Sequence, residues 1–81
     1  MTTLLQNGVR RDWILSFAVD HANAEGLIRT TYRTVADKSG VSPSTVRYYF
    51  QNHPVLWRAI VNHAAASKSV RSEAKRLGIH A

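Results

Sequence analysis

Residues Thr31 to Leu56 read TYRTVADKSGVSPSTVRYYFQNHPVL, and this stretch decides the fold. Its apolar and small residues predict a helix, a tight glycine turn, a second helix and the start of a third. Ala36 has the small side chain that a close helix crossing needs, and Gly40 can adopt a positive φ without steric cost. Val46 then points from the second helix back onto the first. We therefore predict a helix-turn-helix over residues 31–50, whose second helix can lie in the major groove of DNA.

Helical patterns continue on both sides of this motif, and no segment alternates as a strand would. Gly26 and Gly78 are expected to end the first and fifth helices, and Asn52 is a favoured N-cap for the fourth. We predict an all-α fold in one domain of residues 1–81: a three-helix helix-turn-helix core plus one or two C-terminal helices. A loose tail at residues 1–8, interrupted by Gly8, is predicted before a first helix Val9–Glu25. The second helix is capped by Thr30 or Thr31 and ends near Lys38, and the third is Pro43–Phe50, capped by Ser42. The fourth has Leu56, Ile60 and Ala64 as its apolar stripe, and the fifth runs from about Ser69, its cap, to Leu77.

Positive charge is concentrated in the second half of the chain. The net charge is +6 and the pI is about 10.6. Residues 1–40 carry five Lys and Arg against four Asp and Glu, whereas residues 41–81 carry six against one. Basic charge downstream of the glycine turn favours a polyanionic partner, although a solubilising surface would have the same composition.

The composition argues against several classes of protein. The chain has no cysteine, so it can form neither a disulfide framework nor a thiolate metal site. No apolar run approaches the roughly 20 residues that span a bilayer, and the N-terminus lacks the basic-then-apolar order of a signal peptide. The four histidines show no metal-ligand spacing, and neither a catalytic triad nor a glycine-rich phosphate loop is visible. We expect a cytoplasmic protein that binds no membrane, needs no cofactor or metal, and is not an enzyme.

The stretch from Ile14 to Ile60, which includes the predicted helix-turn-helix, resembles the DNA-binding domain of the TetR family of bacterial repressors. The chain departs from the family pattern at Phe17, His21, Ala22 and His53. The family's long C-terminal ligand-binding domain has no counterpart in these 81 residues, so no small-molecule effector is expected. The resemblance implies a nucleoid-associated regulator in a bacterial cell. It runs without gaps from Ile14 to Ile60 and is carried by Ile14-Leu15, Ala18, Gly26, Thr30, Arg33, Val35-Ala36, Gly40-Val41-Ser42, Thr45-Val46, Tyr49-Phe50, Leu56 and Ala59.

A DNA-contacting surface is predicted around the second helix of the motif. Arg47 lies on its outer face, where a guanidinium can reach guanine O6 and N7. Serine and threonine hydroxyls at the start of this helix suit phosphate oxygens, whereas Pro43 can make only apolar contact. The resemblance adds the start of helix two, the outward Tyr48, and His53 in place of the usual lysine. The predicted DNA-binding residues are Thr30, Thr31, Arg33, Ser42, Pro43, Ser44, Thr45, Arg47, Tyr48 and His53. The pair Arg10 and Arg11 is equally suited to contacting DNA and to simple solvation.

Helix four carries more apolar surface than a three-helix core can bury. We predict a homodimer through helices four and five, residues 54–77, because a single short recognition helix binds DNA weakly. The alternative is that helix five covers the surplus through Val70, Ala74 and Leu77. The surplus consists of Trp57, Val61, Ala64, Ala65 and Ala66.

Together these features predict a sequence-specific transcriptional regulator that binds double-stranded DNA, most simply a repressor on an inverted-repeat operator. A regulator of this size would suit a phage or a plasmid. Two other interpretations remain open. One is a DNA-binding accessory factor in replication, excision or packaging, and the other is a helix-turn-helix module whose basic face binds an acidic protein.

Overall fold

Five α-helices make up the part of the protein that the computed structural model describes, residues 7–79, with side chains from Arg10 onward. No strand occurs among these residues, so the predicted all-α class is confirmed. None of these helices is long and apolar enough to cross a bilayer. The helices are α1 (Asn7–Glu25), α2 (Tyr32–Ser39), α3 (Pro43–Tyr49), α4 (His53–Asn62) and α5 (Lys68–Arg76).

The first helix begins before the predicted boundary. The sequence predicts an interruption at Gly8, but α1 begins at Asn7 and runs through this glycine. Glycine costs a helix interior about 1 kcal/mol relative to alanine, which a helix of 19 residues can tolerate. The helix thus begins two residues before the predicted start at Val9, and the rest of the predicted tail, residues 1–6, lies outside the described part of the chain.

The core lies between α1 and the helices that follow it. Ile14 and Ala18 of α1 are fully buried, and so is Leu27, which follows the turn at Gly26. Gly26 ends α1 with a φ of 104°, a conformation that other residues adopt only at a cost. Burying an aliphatic or aromatic side chain contributes about 1.5–3 kcal/mol, so this cluster is the main source of stability. Fully buried side chains from the later elements are Val35, Val46, Phe50, Leu56 and Ile60.

The turn between α2 and α3 has the predicted geometry. Gly40 adopts a φ of 81°, and its N–H donates to the carbonyl of Ala36 at 2.9 Å. Ala36 is 3% exposed and Val46 is fully buried, and α2 and α3 cross in close contact. This crossing sets the direction in which α3 leaves the core, and therefore which of its side chains face outward.

The start of α5 differs from the prediction. Ser67 caps the helix, because its Oγ accepts the N–H of Val70 at 3.2 Å. The predicted cap, Ser69, lies inside the helix. Ser67 is held in place by a second bond, in which its own N–H donates to Asn23 Oδ1 of α1 at 2.9 Å. The position of this cap is thus decided by a contact with a distant helix.

Part of the apolar surplus predicted on helix four is covered: Val61 and Ala66 are buried and Trp57 is half-buried, whereas Ala65 is exposed. α4 ends at Asn62, so Ala64 lies beyond it and is exposed, which corrects its place in the predicted stripe. Val61 is 8% exposed, and α5, which packs against α4, contributes Val70, which is only 1% exposed. In the alternative, helix five covers the surplus through Val70, Ala74 and Leu77; Val70 and Ala74 are buried, whereas Leu77 is 41% exposed. The homodimer stays a prediction, with less apolar surface to support it.

Candidate nucleic-acid interface

Val46 of α3 and Phe50, the C-cap of this helix, are fully buried, so the polar side chains of α3 face outward. Ser44 and Arg47 are exposed, and Tyr48 is 68% exposed, as the helical period predicts. α3 therefore offers a hydroxyl, a guanidinium and an aromatic ring to a partner on one face.

A shallow cleft lies beside α3 where the first turns of three helices meet. Four of its five lining residues belong to the predicted DNA-binding set, and Tyr32 is the addition. The fold thus brings together the starts of α2, α3 and α4, which are far apart in the sequence. The lining residues are Thr31, Tyr32, Arg33, Pro43 and His53.

A second cleft joins α3 to the N-terminal part of α1. It is lined by Arg10, Ser44, Thr45, Tyr48 and Tyr49. The two candidate arginines of α1 are separated by this arrangement. Arg10 lies beside α3, whereas the guanidinium of Arg11 lies 4.8 Å from the ring centre of Phe50. Arg10 is therefore the arginine of this pair that extends the α3 surface.

Two of the predicted contact residues also cap helices. Thr31 Oγ1 accepts the N–H of Thr34 at 3.4 Å, and the Thr31 N–H donates to Thr34 Oγ1 at 2.9 Å. Ser42 Oγ accepts the N–H of Thr45 at 3.2 Å and lies 3.0 Å from the hydroxyl of Thr45. Each cap holds the start of its helix at the surface, and a hydroxyl oxygen has two acceptor sites, so capping leaves capacity for a phosphate or water.

Thr30 is not part of this surface, which corrects its assignment as a DNA-binding residue. Its side chain is fully buried and its hydroxyl donates to the carbonyl of Gly26 at 2.9 Å. Because that bond uses the hydroxyl proton, the neighbouring Nδ1 of His21, 2.9 Å away, must carry a hydrogen and donate to Thr30 Oγ1. Thr30 therefore serves the loop between α1 and α2, where a hydroxyl without a partner would be costly.

The surroundings of His21 favour the neutral form of its ring. It is 8% exposed, and burial lowers its pKa from the ordinary 6.5, with a further lowering by the charge of Lys38. Glu25 acts in the opposite direction and raises this pKa. His21 thus contributes to the packing beneath the α2 start without adding charge to the surface.

Three aromatic side chains form a column beside α3, which we call the aromatic column: Tyr32, His53 and Trp57. The rings of Tyr32 and His53 are stacked, with centres 4.3 Å apart and an interplanar angle of 20°. His53 lies 5.6 Å from Trp57, whose indole N–H donates to the carbonyl of Thr30 at 2.8 Å. The column is therefore tied at one end to the backbone that precedes α2.

His53 occupies a different setting from that of a free surface cation. Its ring is half-buried between Tyr32 and Trp57, and its Nε2 is buried with no hydrogen-bond partner among the described residues. Its ring therefore supports Tyr32 in the cleft.

The electrostatic character of the surface follows from which charges it includes. Neither cleft beside α3 is lined by Asp or Glu. Two of the described carboxylates are engaged elsewhere: Glu25 pairs with Arg29 at 3.9 Å, and Glu73 accepts backbone N–H groups of the loop between α1 and α2. Arg10 and Arg33 each line one of these clefts, and Arg47 lies on the exposed face of α3 beside them. No carboxylate lines either cleft, so the positive charge there is not offset.

Tyr32 is the residue of this surface that sequence reasoning did not single out. As the first residue of α2 it carries no periodic signal of its own. Its importance comes from contacts with His53, twenty-one positions later, and with Arg47 on α3. Only the tertiary arrangement of α2, α3 and α4 makes these contacts.

No family model, curated protein or solved structure matches this chain. The resemblance to the TetR family accordingly stays a prediction that depends on the quoted residues. Within residues 7–79, no three potential metal-ligating side chains lie together.

Proposed function

We propose that this protein is a TetR-like, sequence-specific binder of double-stranded DNA that acts as a transcriptional repressor. One observation carries the proposal. The exposed face of α3, the start of α2 and the start of α1 converge on a surface whose two clefts contain arginine but no carboxylate. A basic surface centred on the second helix of a helix-turn-helix is suited to the major groove of DNA.

The residues of this surface divide into two roles. Arg47, at the centre of the exposed face of α3, would read a base edge, for which a guanine offers two acceptors. Arg33 and Arg10, on the flanking helices, would contact phosphates and set the orientation of α3 in the groove. The ring of Tyr48 would pack on the sugar-phosphate backbone.

We further propose that two copies bind together on an inverted repeat. Their recognition helices would then enter successive major grooves about 34 Å apart. The contact between the copies would use the exposed side of residues 54–77, where Ala64, Ala65 and Leu77 are accessible. A repressor of this kind acts by occupying DNA that RNA polymerase needs.

The proposal is tested by selecting sites from random duplex DNA at about 150 mM salt, a concentration at which non-specific attraction is weakened. We expect enrichment of an inverted repeat with its half-sites about one helical turn apart. Enrichment of head-to-tail sites would instead favour the accessory factor. Binding that is indifferent to sequence and vanishes as salt rises would overturn the proposal in favour of an acidic protein partner.

A further inference from the structure

Arg47 lies beside an aromatic ring that another helix supplies. Its guanidinium carbon lies over the ring of Tyr32, 5.9 Å from the ring centre. This is within the distance at which a cation is attracted to the face of an aromatic ring. Arg47 is otherwise exposed, and no ion pair of its guanidinium occurs among the described contacts.

The ring of Tyr32 is itself fixed in place. It is half-buried, and it stacks on His53 at 4.3 Å within the aromatic column. The backbone of Tyr32 is fixed as well, because it is the first residue of α2 and follows the cap Thr31. A ring that is held by its own helix start and by a residue of α4 can restrict a mobile side chain, whereas a free ring could not.

An exposed arginine loses much conformational entropy when it binds a base edge. This cost applies to every rotamer-rich side chain that an interface immobilises. A side chain already held near its bound position loses less, and this gain applies only to the base that the side chain reads. Positioning of Arg47 would therefore raise specificity more than general affinity.

We propose that Tyr32 is a positioning residue, which holds the guanidinium of Arg47 ready to read a base edge. The inference rests on the proposed function, since it assigns a role within the same DNA-binding surface. A contact between a solvent-exposed cation and an aromatic ring is worth about 0.5–1 kcal/mol, so loss of the ring should lower the preference for the correct base about two- to fivefold.

The contact itself is tested without DNA. In the NMR spectrum of the wild-type protein, the ring current of Tyr32 should shift the Arg47 side-chain protons upfield of those of Arg76, an exposed arginine on α5. Tyr32→Leu should remove this shift and Tyr32→Phe should preserve it. Arg47 protons that resonate with those of Arg76 in the wild type would overturn the inference, even if no variant folds.

The consequence is tested on DNA selected by the wild-type protein. We would measure the ratio of affinities for the selected site and for the same site changed at the base that Arg47 reads. Tyr32→Leu should lower the ratio two- to fivefold, and Tyr32→Phe should restore it, because the ring rather than the hydroxyl holds Arg47. In an Arg47→Ala background, Tyr32→Leu should have no further effect on this ratio.

The outcomes separate the two proposals. If the wild-type protein selects no sequence, the proposed function fails, and the NMR shift alone decides the positioning of Arg47. If Arg47→Ala lowers the ratio but Tyr32→Leu leaves it unchanged, the proposed function stands and the inference fails. If Tyr32→Phe lowers the ratio as much as Tyr32→Leu does, the effect comes from a contact of the tyrosine hydroxyl. That result would overturn the positioning role of the ring.

Discussion

Arg47 is the only charged side chain of α3 and lies on its exposed face. Its neighbour Val46 is fully buried and fixes the rotation of the helix, so the direction of Arg47 follows from the packing of Val46. The packing of Val46 in the core thus sets the direction of Arg47, the side chain that is proposed to read DNA.

Arg47→Ala should weaken binding to the selected site by about 1–3 kcal/mol and relax selection at one position in each half-site. Arg76→Ala removes the same charge from an exposed position on α5 and is the matched control. Both variants would be compared by fluorescence anisotropy on specific and random duplexes. Equal losses for the two variants would show that Arg47 contributes only charge.

His21 provides a prediction about stability and pH. Its pKa in the folded protein is lowered by burial and by Lys38, so below the ordinary value of 6.5 the unfolded chain binds more protons than the folded one. The stability gained from a neutral His21 is therefore fully present above about pH 6.5 and is lost as pH falls through the lowered pKa.

His21→Gln should flatten part of this loss, since glutamine can donate to Thr30 but does not titrate. Urea unfolding from pH 7.5 down to 4.5 measures the effect. Lys38→Gln is a second variant, and it should make this loss smaller, because removing the charge raises the folded pKa of His21 toward its value in the unfolded chain. An identical pH dependence in wild type and His21→Gln would contradict the assignment.

At the scale of elements, α5 is joined to the start of the helix-turn-helix by one side chain. Glu73 accepts the N–H of Leu27 at 2.6 Å and the N–H of Ile28 at 3.1 Å. These groups follow Gly26, where α1 has ended and its helical hydrogen bonds no longer satisfy the chain. The carboxylate therefore replaces missing backbone partners and holds the loop from which α2 begins.

Glu73→Gln should lower the free energy of unfolding by about 1–2 kcal/mol, because an amide has only one oxygen to accept from the two N–H groups. Glu25→Gln is the matched control. Its pair with Arg29 has side-chain exposures of 53% and 74%, so we expect a change below about 0.5 kcal/mol. Urea denaturation with an unchanged m-value measures both. Equal effects of the two variants would show that the Glu73 bonds add no stability.

At the scale of the whole molecule, the excess of positive charge is the property most relevant to DNA. The net charge is +6, and the clefts beside α3 contain none of the five carboxylates. The affinity that comes from this attraction falls steeply with salt. The logarithm of the binding constant falls with the logarithm of the salt concentration by a slope of about 0.9 for each phosphate that the protein neutralises.

Arg33→Ala should therefore reduce the salt slope of binding by about one unit per subunit and weaken all sequences nearly equally. The measurement is the affinity for specific and random duplexes between about 50 and 200 mM salt. Arg76→Ala is again the control for charge, and a slope that it lowers as much as Arg33→Ala would indicate diffuse attraction without a defined phosphate contact.

The sequence alone predicted most of the local structure. Gly40, Ser42 and Asn52 act at their predicted positions because turn and cap preferences depend on a few neighbouring atoms. The inward side of α3 was predictable for a similar reason, since helical periodicity determines which residues share a face. The all-α fold and the exposure of Arg47 follow from these local rules.

The tertiary structure decided the rest, because it depends on contacts between residues far apart in the chain. Thr30 is buried by its bonds to Gly26 and His21, and Ser67 caps α5 with the help of Asn23. Which helix covers Val61 is likewise a matter of packing between elements. Local preference determines where a helix begins, but only the balance of burial and hydrogen bonding among distant residues determines which surfaces remain available to a partner.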